Sequence, residues 1–305
     1  MSIFNKTVSH TLPYVPKPII GYFARPYIAG ETLDAAVDTV KNLMRDGACA
    51  TIDVLGEEVT RKEQSLDAAE LYKSVLRRIS EENLHSGVSV KPTHMGLKLD
   101  KQFCYENIRS IVQTAKECDR FVRIDMEDHT TTSDTLDMYL QLKQEFSNVG
   151  TAIQAYMRRT LDDVNRLLPH NPDFRLCKGI YKEPHAISYH DRDIINQNFS
   201  YILEKLLTGG CYVGIATHDE KLVWEALRII DTHAIPKSQY EFQMLLGVTP
   251  ELRRVLLSAG HKLRVYVPFG PEWMHYSTRR LKENPDIVGH VTKSMVKKMF
   301  SRNGQ

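Results

Sequence analysis

The stretch MHYSTRRLKEN, residues 274–284, carries the side chains whose types and spacing best suit chemistry. Read as a helix, it places Tyr276, Arg279, Arg280 and Glu283 at i, i+3, i+4 and i+7, so all four share one face. A polar face of this kind is ordinarily a solvated surface. Two adjacent guanidinium groups also make a carboxylate clamp, because the planar fork binds both oxygens where an ammonium offers one point charge. Which reading holds depends on what the rest of the chain builds opposite that face.

Eight short apolar runs read as strands: CATIDVLG, GVSVKPTHMG, FVRIDMED, GTAIQAYM, FRLCKGIY, CYVGIATHD, YEFQMLLG and LRVYVPFG. A helix precedes them in GETLDAAVDTVKNLMRDG. Segments such as LDAAELYKSVLRRISEEN, CYENIRSIVQTAKECD, DTLDMYLQLKQEFSN and KLVWEALRIIDTHA lie between them, with apolar residues at three- and four-residue spacing. Thr249-Pro250-Glu251 reads as a helix N-cap, N1 proline and acidic first turn, while Gly209-Gly210 and Gly260 follow helix ends. Strands alternating with helices imply parallel pairing, and eight units imply a closed (β/α)8 TIM barrel of the α/β class. The expected divisions are an N-terminal arm over residues 1–30, the barrel over 31–290 and a basic C-terminal tail or helix over 291–305. No GxGxxG or GxxxxGK[ST] pattern signals a nucleotide loop.

In such a barrel the active site stands at the C-terminal strand ends. There the sequence places Glu57, Lys91, His94, Arg123, Asp125, Glu127, Asp128, Gln154, Tyr156, Arg175, Lys178, Tyr181, Thr217, His218, Gln243 and Tyr266. Each is open to two readings, a rim or ion-paired layer of the barrel or part of a site. RIDMED sets Arg123, Asp125 and Glu127 on one side of a strand, as an ion-pair ladder or a site. His94, Asp125 and His218 are of metal-ligating types but lack HxH or HExxH spacing, so no metal is assigned. Lys91 is a candidate for Schiff-base chemistry.

Net charge is only +2, from 40 basic and 38 acidic side chains, with no basic stripe, so nucleic acid is not an expected partner. The five cysteines are scattered without a CxxC pair, which points away from a disulfide framework and toward a reducing compartment. No apolar run approaches the ~18 residues of a membrane helix, and no signal-peptide core opens the chain. The first 30 residues are basic and hold no acid before Glu31, a weak likeness to a transit sequence that the prolines of YVPKPIIGYF break. The expected location is cytoplasmic, with a peripheral contact at the inner face of the membrane left open. VTKSMVKKMF is basic and partly apolar, and reads first as a plain terminal helix.

RIDMED, IQAY, RLCKGIYKEP, ATHD, YEFQMLLG, RVYVPFG and YSTRRLKEN, in this order and spacing, resemble the proline dehydrogenase family, the FAD-dependent barrel found alone or within bifunctional proline-utilisation enzymes. The resemblance covers about Gly30 to Asn284. It implies a distorted barrel whose final helix lies over the mouth. It also implies that Arg279 and Arg280 grip the substrate carboxylate with help from Lys91, that Asp125 is the active-site aspartate, and that Tyr266, Tyr276 and Leu245 wall the proline ring with Tyr181 beside them. Glu57 corresponds to the glutamate that pairs with Arg279 as a gate. For FAD, Arg175 corresponds to the arginine near flavin N5, Gln154 to the glutamine on the flavin ring, and Lys178, Gly179, Thr217, His218 and Glu283 to further contacts. Ile180 departs from the family's usual alanine. Tyr276 is retained where relatives preferring hydroxyproline carry a smaller residue.

The implied activity is oxidation of L-proline to 1-pyrroline-5-carboxylate by hydride transfer to noncovalently held FAD. Electrons then pass to a quinone, and a separate pyrroline-5-carboxylate dehydrogenase takes the product, since no nucleophile motif for that second step is present. Hydride removal from C5 of the ring demands an external acceptor, because side chains accept none. Two other classes stay open on residue types alone: a Schiff-base or metal-dependent barrel lyase, and a non-catalytic barrel that binds a carboxylate metabolite. If the clamp reading holds, Arg280→Lys raises the KM for proline by roughly tenfold or more while flavin content is unchanged, the loss of one charge-assisted hydrogen bond. Steady-state kinetics with a flavin assay decide it, and an unchanged KM removes Arg280 from the clamp.

Overall fold

A computed structural model describes residue 21, residues 24–274 and residues 276–278. Most of the expected N-terminal arm, the residues Arg279, Arg280 and Glu283, and the expected tail over 291–305 lie outside the described residues.

Eight parallel strands close into a barrel in sequence order: β1 (Cys49–Val54), β2 (Ser86–Val90), β3 (Val122–Ile124), β4 (Val149–Gln154), β5 (Asp173–Cys177), β6 (Tyr212–Ala216), β7 (Tyr240–Leu245) and β8 (Leu263–Phe269). Closure rests on β1 beside β8, in register from Cys49 opposite Arg264 to Val54 opposite Phe269. All eight expected strands exist, and the barrel is as anticipated. Helix α1 (Leu33–Arg45) precedes β1, and α2 (Lys62–Glu81), α3 (Lys101–Glu117), α4 (His129–Glu145), α5 (Thr160–Leu167), α6 (Arg192–Thr208), α7 (Glu220–Thr232) and α8 (Pro250–Ser258) follow β1 to β7 in turn.

The strands are buried on both faces, and their residues sort by alternation. One set is apolar: Ile52, Val54, Val88, Val90, Val122, Ile124, Leu176, Ile215, Phe242, Met244, Val265 and Val267 join the continuous core that includes Val40, Tyr72, Ile108, Tyr139 and Leu206 of the helices. The alternate set faces the barrel axis and is polar or small, including Thr51, Ala152, Gln154, Arg175, Gln243, Arg264 and Tyr266. Large branched side chains usually fill a barrel interior. Here charged side chains take that space.

Aspartates open several helices at the strand C-terminal end. Asp128 accepts from Thr130 N at 2.9 Å before α4, Asp191 accepts from Asp193 N at 2.9 Å before α6, and Asp219 accepts from Lys221 N at 3.1 Å before α7. Thr249 does precede α8, with Pro250 at its first position, but it adopts φ 42° and its hydroxyl contacts Met244 Sδ instead of capping the helix. Gly210 and Gly260, at φ 81° and 73°, end α6 and α8 as their positions imply.

Further expectations are corrected. Lys91 and His94 were expected on the second strand, and Asp125, Glu127 and Asp128 on the third, yet β2 ends at Val90 and β3 at Ile124, so Lys91 and Asp125 directly follow their strands and the others lie in the loops beyond. Arg123 does not join Asp125 in a site. Its guanidinium turns toward the strand N-terminal end, donating to Thr151 O at 2.9 Å, Asp173 O at 2.7 Å and Asp173 Oδ1 at 2.5 Å. Gly150 makes room for it, since a Cβ there would stand 2.4 Å from Arg123 Nη1.

This ion pair belongs to the fold and not to the mouth. Arg123→Met leaves Asp173 without its cation and is expected to lower unfolding free energy by about 3 kcal/mol. Urea unfolding measures it, and an unchanged midpoint would show that the pair holds nothing together.

Candidate active site

A cavity of about 870 Å³ opens at the C-terminal ends of the strands. Every described residue singled out from the resemblance lines it except Glu57: Lys91, Asp125, Gln154, Arg175, Lys178, Gly179, Tyr181, Thr217, His218, Leu245, Tyr266 and Tyr276. Glu57 lies on the loop after β1, outside the cavity lining, and its charge acts on Lys91. Tyr276, on the helical turn that follows β8, packs with Tyr27 and Leu55 at the mouth. Trp273, on the same turn, donates from Nε1 to Glu31 Oε1 at 2.8 Å. Ile180 lines the cavity and is 48% exposed, so its extra bulk stands at the open side.

The centre is a continuous hydrogen-bonded chain. Lys91 Nζ donates to both oxygens of Asp53 at 2.8 Å and stands 3.4 Å from Tyr266 Oη. Tyr266 donates to Asp125 Oδ2 at 2.9 Å, and Arg175 Nη1 reaches Asp125 Oδ1 at 2.5 Å. Ser89 donates to Asp125 Oδ1 at 2.8 Å and accepts from Arg175 Nη2 at 3.1 Å. The guanidinium lies over the Tyr266 ring, 5.3 Å from its centroid. Below, Arg175 Nε donates to Gln243 Oε1 at 2.6 Å.

Burial alone would lower the Lys91 ammonium, but the charges of Asp53 and Asp125 more than offset it, and the amine is held protonated above the ordinary lysine range. Burial pushes the Tyr266 hydroxyl well up, and the neighbouring Asp125 adds to it, so Tyr266 remains a donor. His218 Nε2 accepts from Leu245 N at 2.8 Å, which places its proton on Nδ1. Lys178 pairs with Asp219 at 2.7 Å across the β5 and β6 loops. Gly179 has φ 107°, and a Cβ there would meet the Tyr156 ring at 2.1 Å, so only glycine fits.

The metal-ligating types do not converge. Asp125 is taken by Arg175 and Tyr266, His218 by Leu245 N, and the His94 ring packs where a side chain on Gly56 would stand, its value pushed down to about 4 by burial. Among the described residues no three His, Cys, Asp or Glu side chains are grouped to hold a metal ion.

Reasoning from the sequence missed Asp53, fully buried, which determines the state of Lys91. The available signal was alternation: Thr51 and Asp53 are two apart on one strand. Ser89 and Glu241 were missed as well.

Glu127 is also at the wall, 5% exposed, accepting from Thr93 N at 2.8 Å and Thr93 Oγ1 at 2.6 Å. It thereby ties the loop after β2 to the loop after β3.

A family model described as proline dehydrogenase matches residues 36–293. Proline dehydrogenase 1 of Bacillus subtilis (strain 168) is 40% identical over 275 residues, 90% of this chain and 91% of that protein. The proline dehydrogenase of Deinococcus radiodurans is 33% identical over 279 residues, 90% of each chain. Proline utilization A from Bdellovibrio bacteriovorus, solved after inactivation by N-propargylglycine, matches the fold with a TM-score of 0.81 at 23% identity. That match covers 86% of this chain and 32% of that longer one.

Glu127 yields a pH prediction. Burial raises its carboxyl from 4.5 to about 7, outweighing the hydrogen bonds from Thr93. The folded chain then holds the proton across a window in which the unfolded chain has released it, so stability is lost as pH rises from 4.5 to about 7. Glu127→Gln removes this dependence. Relative to the variant, the native chain should lose on the order of 3 kcal/mol across the window and no more above it. Denaturant titrations over pH test it, and parallel curves would refute it.

Proposed function

Because the chain belongs to the proline dehydrogenase family, we propose that it oxidises L-proline to 1-pyrroline-5-carboxylate with FAD held noncovalently in the barrel cavity. The observation that carries this reading is the joining of Lys91, Tyr266, Asp125 and Arg175 in one hydrogen-bonded chain along the wall of a single cavity. The space suits the cofactor, since 870 Å³ lies in the upper part of the roughly 300–1,000 Å³ range of ligand and cofactor pockets and exceeds what a five-membered imino acid fills. Gln154, Arg175, Lys178, Gly179, Thr217 and His218 are the described residues that would hold it, with Glu283 added from the sequence. When bound, FAD supplies the hydride acceptor that side chains lack.

The remaining work falls to the chain. Arg279 and Arg280 bind the substrate carboxylate as paired forks, with Glu57 closing on Arg279. Lys91, kept cationic by Asp53, adds a fixed positive charge to the same pocket. Asp125 accepts from Tyr266, Ser89 and Arg175, so its oxygens are held in place before substrate arrives. Tyr276, Leu245, Tyr181 and the Tyr266 ring exclude water around the imino acid ring. Proline is favoured over hydroxyproline because Tyr276 occupies the wall.

The two other classes fare less well. Schiff-base formation needs a neutral amine, and the pair with Asp53 holds Lys91 protonated. A passive carboxylate-binding barrel has no need of a further buried cation at Arg175, held by Asp125, Ser89 and Gln243. Electrons pass to a quinone, which brings the enzyme against a membrane surface as a peripheral contact. No described helix is long and apolar enough to cross a membrane. A separate pyrroline-5-carboxylate dehydrogenase consumes the product.

Purified protein supplied with FAD is expected to be yellow, and anaerobic L-proline to bleach its flavin band. Absorbance spectroscopy reads both. A colourless protein after FAD is supplied, or a flavin band that proline leaves intact, would overturn the proposal.

A further inference from the structure

Beneath Arg175 the barrel holds a second charged group that the reaction does not touch. Glu241 and Gln243 stand two residues apart on β7 and so face the axis together, 1% and 7% exposed. Arg264 pairs with Glu241 through Nε at 2.5 Å and Nη2 at 3.0 Å. Burial would raise the Glu241 carboxyl, but Arg264 and Lys262 outweigh it and keep the group ionised, well below the carboxylate range. An ionised carboxylate only accepts hydrogen bonds. Gln243 must therefore turn its amide nitrogen to Glu241, at 2.7 Å, which leaves its carbonyl oxygen for Arg175 Nε at 2.6 Å.

The strand beside it is cleared for this amide. A Cβ on Gly214 of β6 would stand 2.3 Å from Gln243 Nε2. The result is a neutral spacer between two charges of opposite sign. Arg175 meets one carboxylate, Asp125, and is kept from a second.

We infer that Gln243 is a positioning residue: with its amide oriented by Glu241, it aims Arg175 at the cavity and keeps the floor carboxylate from neutralising it. The guanidinium then retains positive charge toward whatever the cavity binds. This rests on the proposed reading that Arg175 stands beside a bound flavin, where a cation favours the reduced, more negative form.

The test measures the midpoint potential of the flavin in the FAD-loaded full chain against pH. Position 243 is faced by Arg175 from β5, Arg264 from β8 and Glu241 on its own strand, with Asp125 and Tyr266 on the far side of Arg175. In Gln243→Glu the protonated acid reproduces the amide, its O–H donating to Glu241 and its carbonyl accepting from Arg175, so at low pH the potential should match the native protein. As pH rises, ionisation sets a new negative charge against Arg175. The reduction equilibrium should then fall at least tenfold below the native curve, about 30 mV for a two-electron couple. Gln243→Met keeps the volume but neither hydrogen bond, and should lower the potential at every pH without a new ionisation.

Arg175→Met separates the two layers of the argument. If it lowers the potential while both Gln243 variants follow the native curve, Gln243 is packing only and the inference falls, with the flavin reading intact. If Arg175→Met leaves the potential unmoved, Arg175 is not beside the flavin and both fall. A Gln243→Glu curve that leaves the native one through a single added ionisation supports the inference, since loss of packing alone would not titrate.

Discussion

A charge inside a barrel must be answered by another charge or it will not stay there, and this constraint organises the whole molecule. Asp53, Lys91, Asp125, Arg175, Glu241 and Arg264 all project into the space that branched apolar side chains fill in an ordinary barrel. An unpaired ion in that setting costs several kcal/mol even after relaxation. The structure meets the constraint by alternation of sign: carboxylate, ammonium, phenol, carboxylate, guanidinium, amide, carboxylate, guanidinium, each bonded to the next. Tyr266 and Gln243 are the neutral members, and both are amphoteric, donating to one neighbour while standing within hydrogen-bond reach of the other's donor.

The sequence devices that permit this are small residues and apolar exteriors. Gly150, Gly214 and Ala152 leave inner volume for Arg123, Gln243 and the cavity. Outside, the valines, isoleucines and phenylalanines of the same strands bury against the helices in one continuous core, so the hydrophobic term that holds the fold acts away from the axis. The barrel is thus held together from its outer face, and the inner face is released for polar work. Arg123 and Asp173 fill the floor without entering that work.

The fold was legible because its signal is repeated. Each strand alternates with a helix-periodic segment, and eight repetitions outvote any single ambiguous run. The site was legible in a different way. Position at strand ends marked a polar rim, and residue-by-residue likeness to a family picked from it the side chains that do line one cavity. What stayed hidden depends on partners distant in the chain. Asp53 in TIDV looks like an interruption of an apolar strand until Lys91, 38 residues on, is seen beside it. Arg123 and Asp125 share a side in RIDMED, yet one turns to the floor and the other to the mouth, because Asp173 and Arg175 wait at different heights. Thr249 reads as an N-cap from its neighbours, but its left-handed backbone carries the hydroxyl away.

The same chain of charges explains why the site needs little rearrangement to act. Each polar side chain in it is held by two or more partners on the strands, on the loops that directly follow them or on a packed helix, so its orientation is determined before any ligand arrives, which is the condition for electrostatic stabilisation without reorganisation. Arg175 shows this most clearly: Asp125, Ser89 and Gln243 take three of its nitrogens, and the Tyr266 ring lies beneath its plane. A guanidinium so held cannot swing to follow a moving charge; the charge must form where it already points. At the mouth Tyr276, Trp273 and Tyr27 pack around Leu55, and Trp273 donates to Glu31. The polar network is thus fixed on the walls and floor of the cavity, so that a substrate entering from above meets a field already in place.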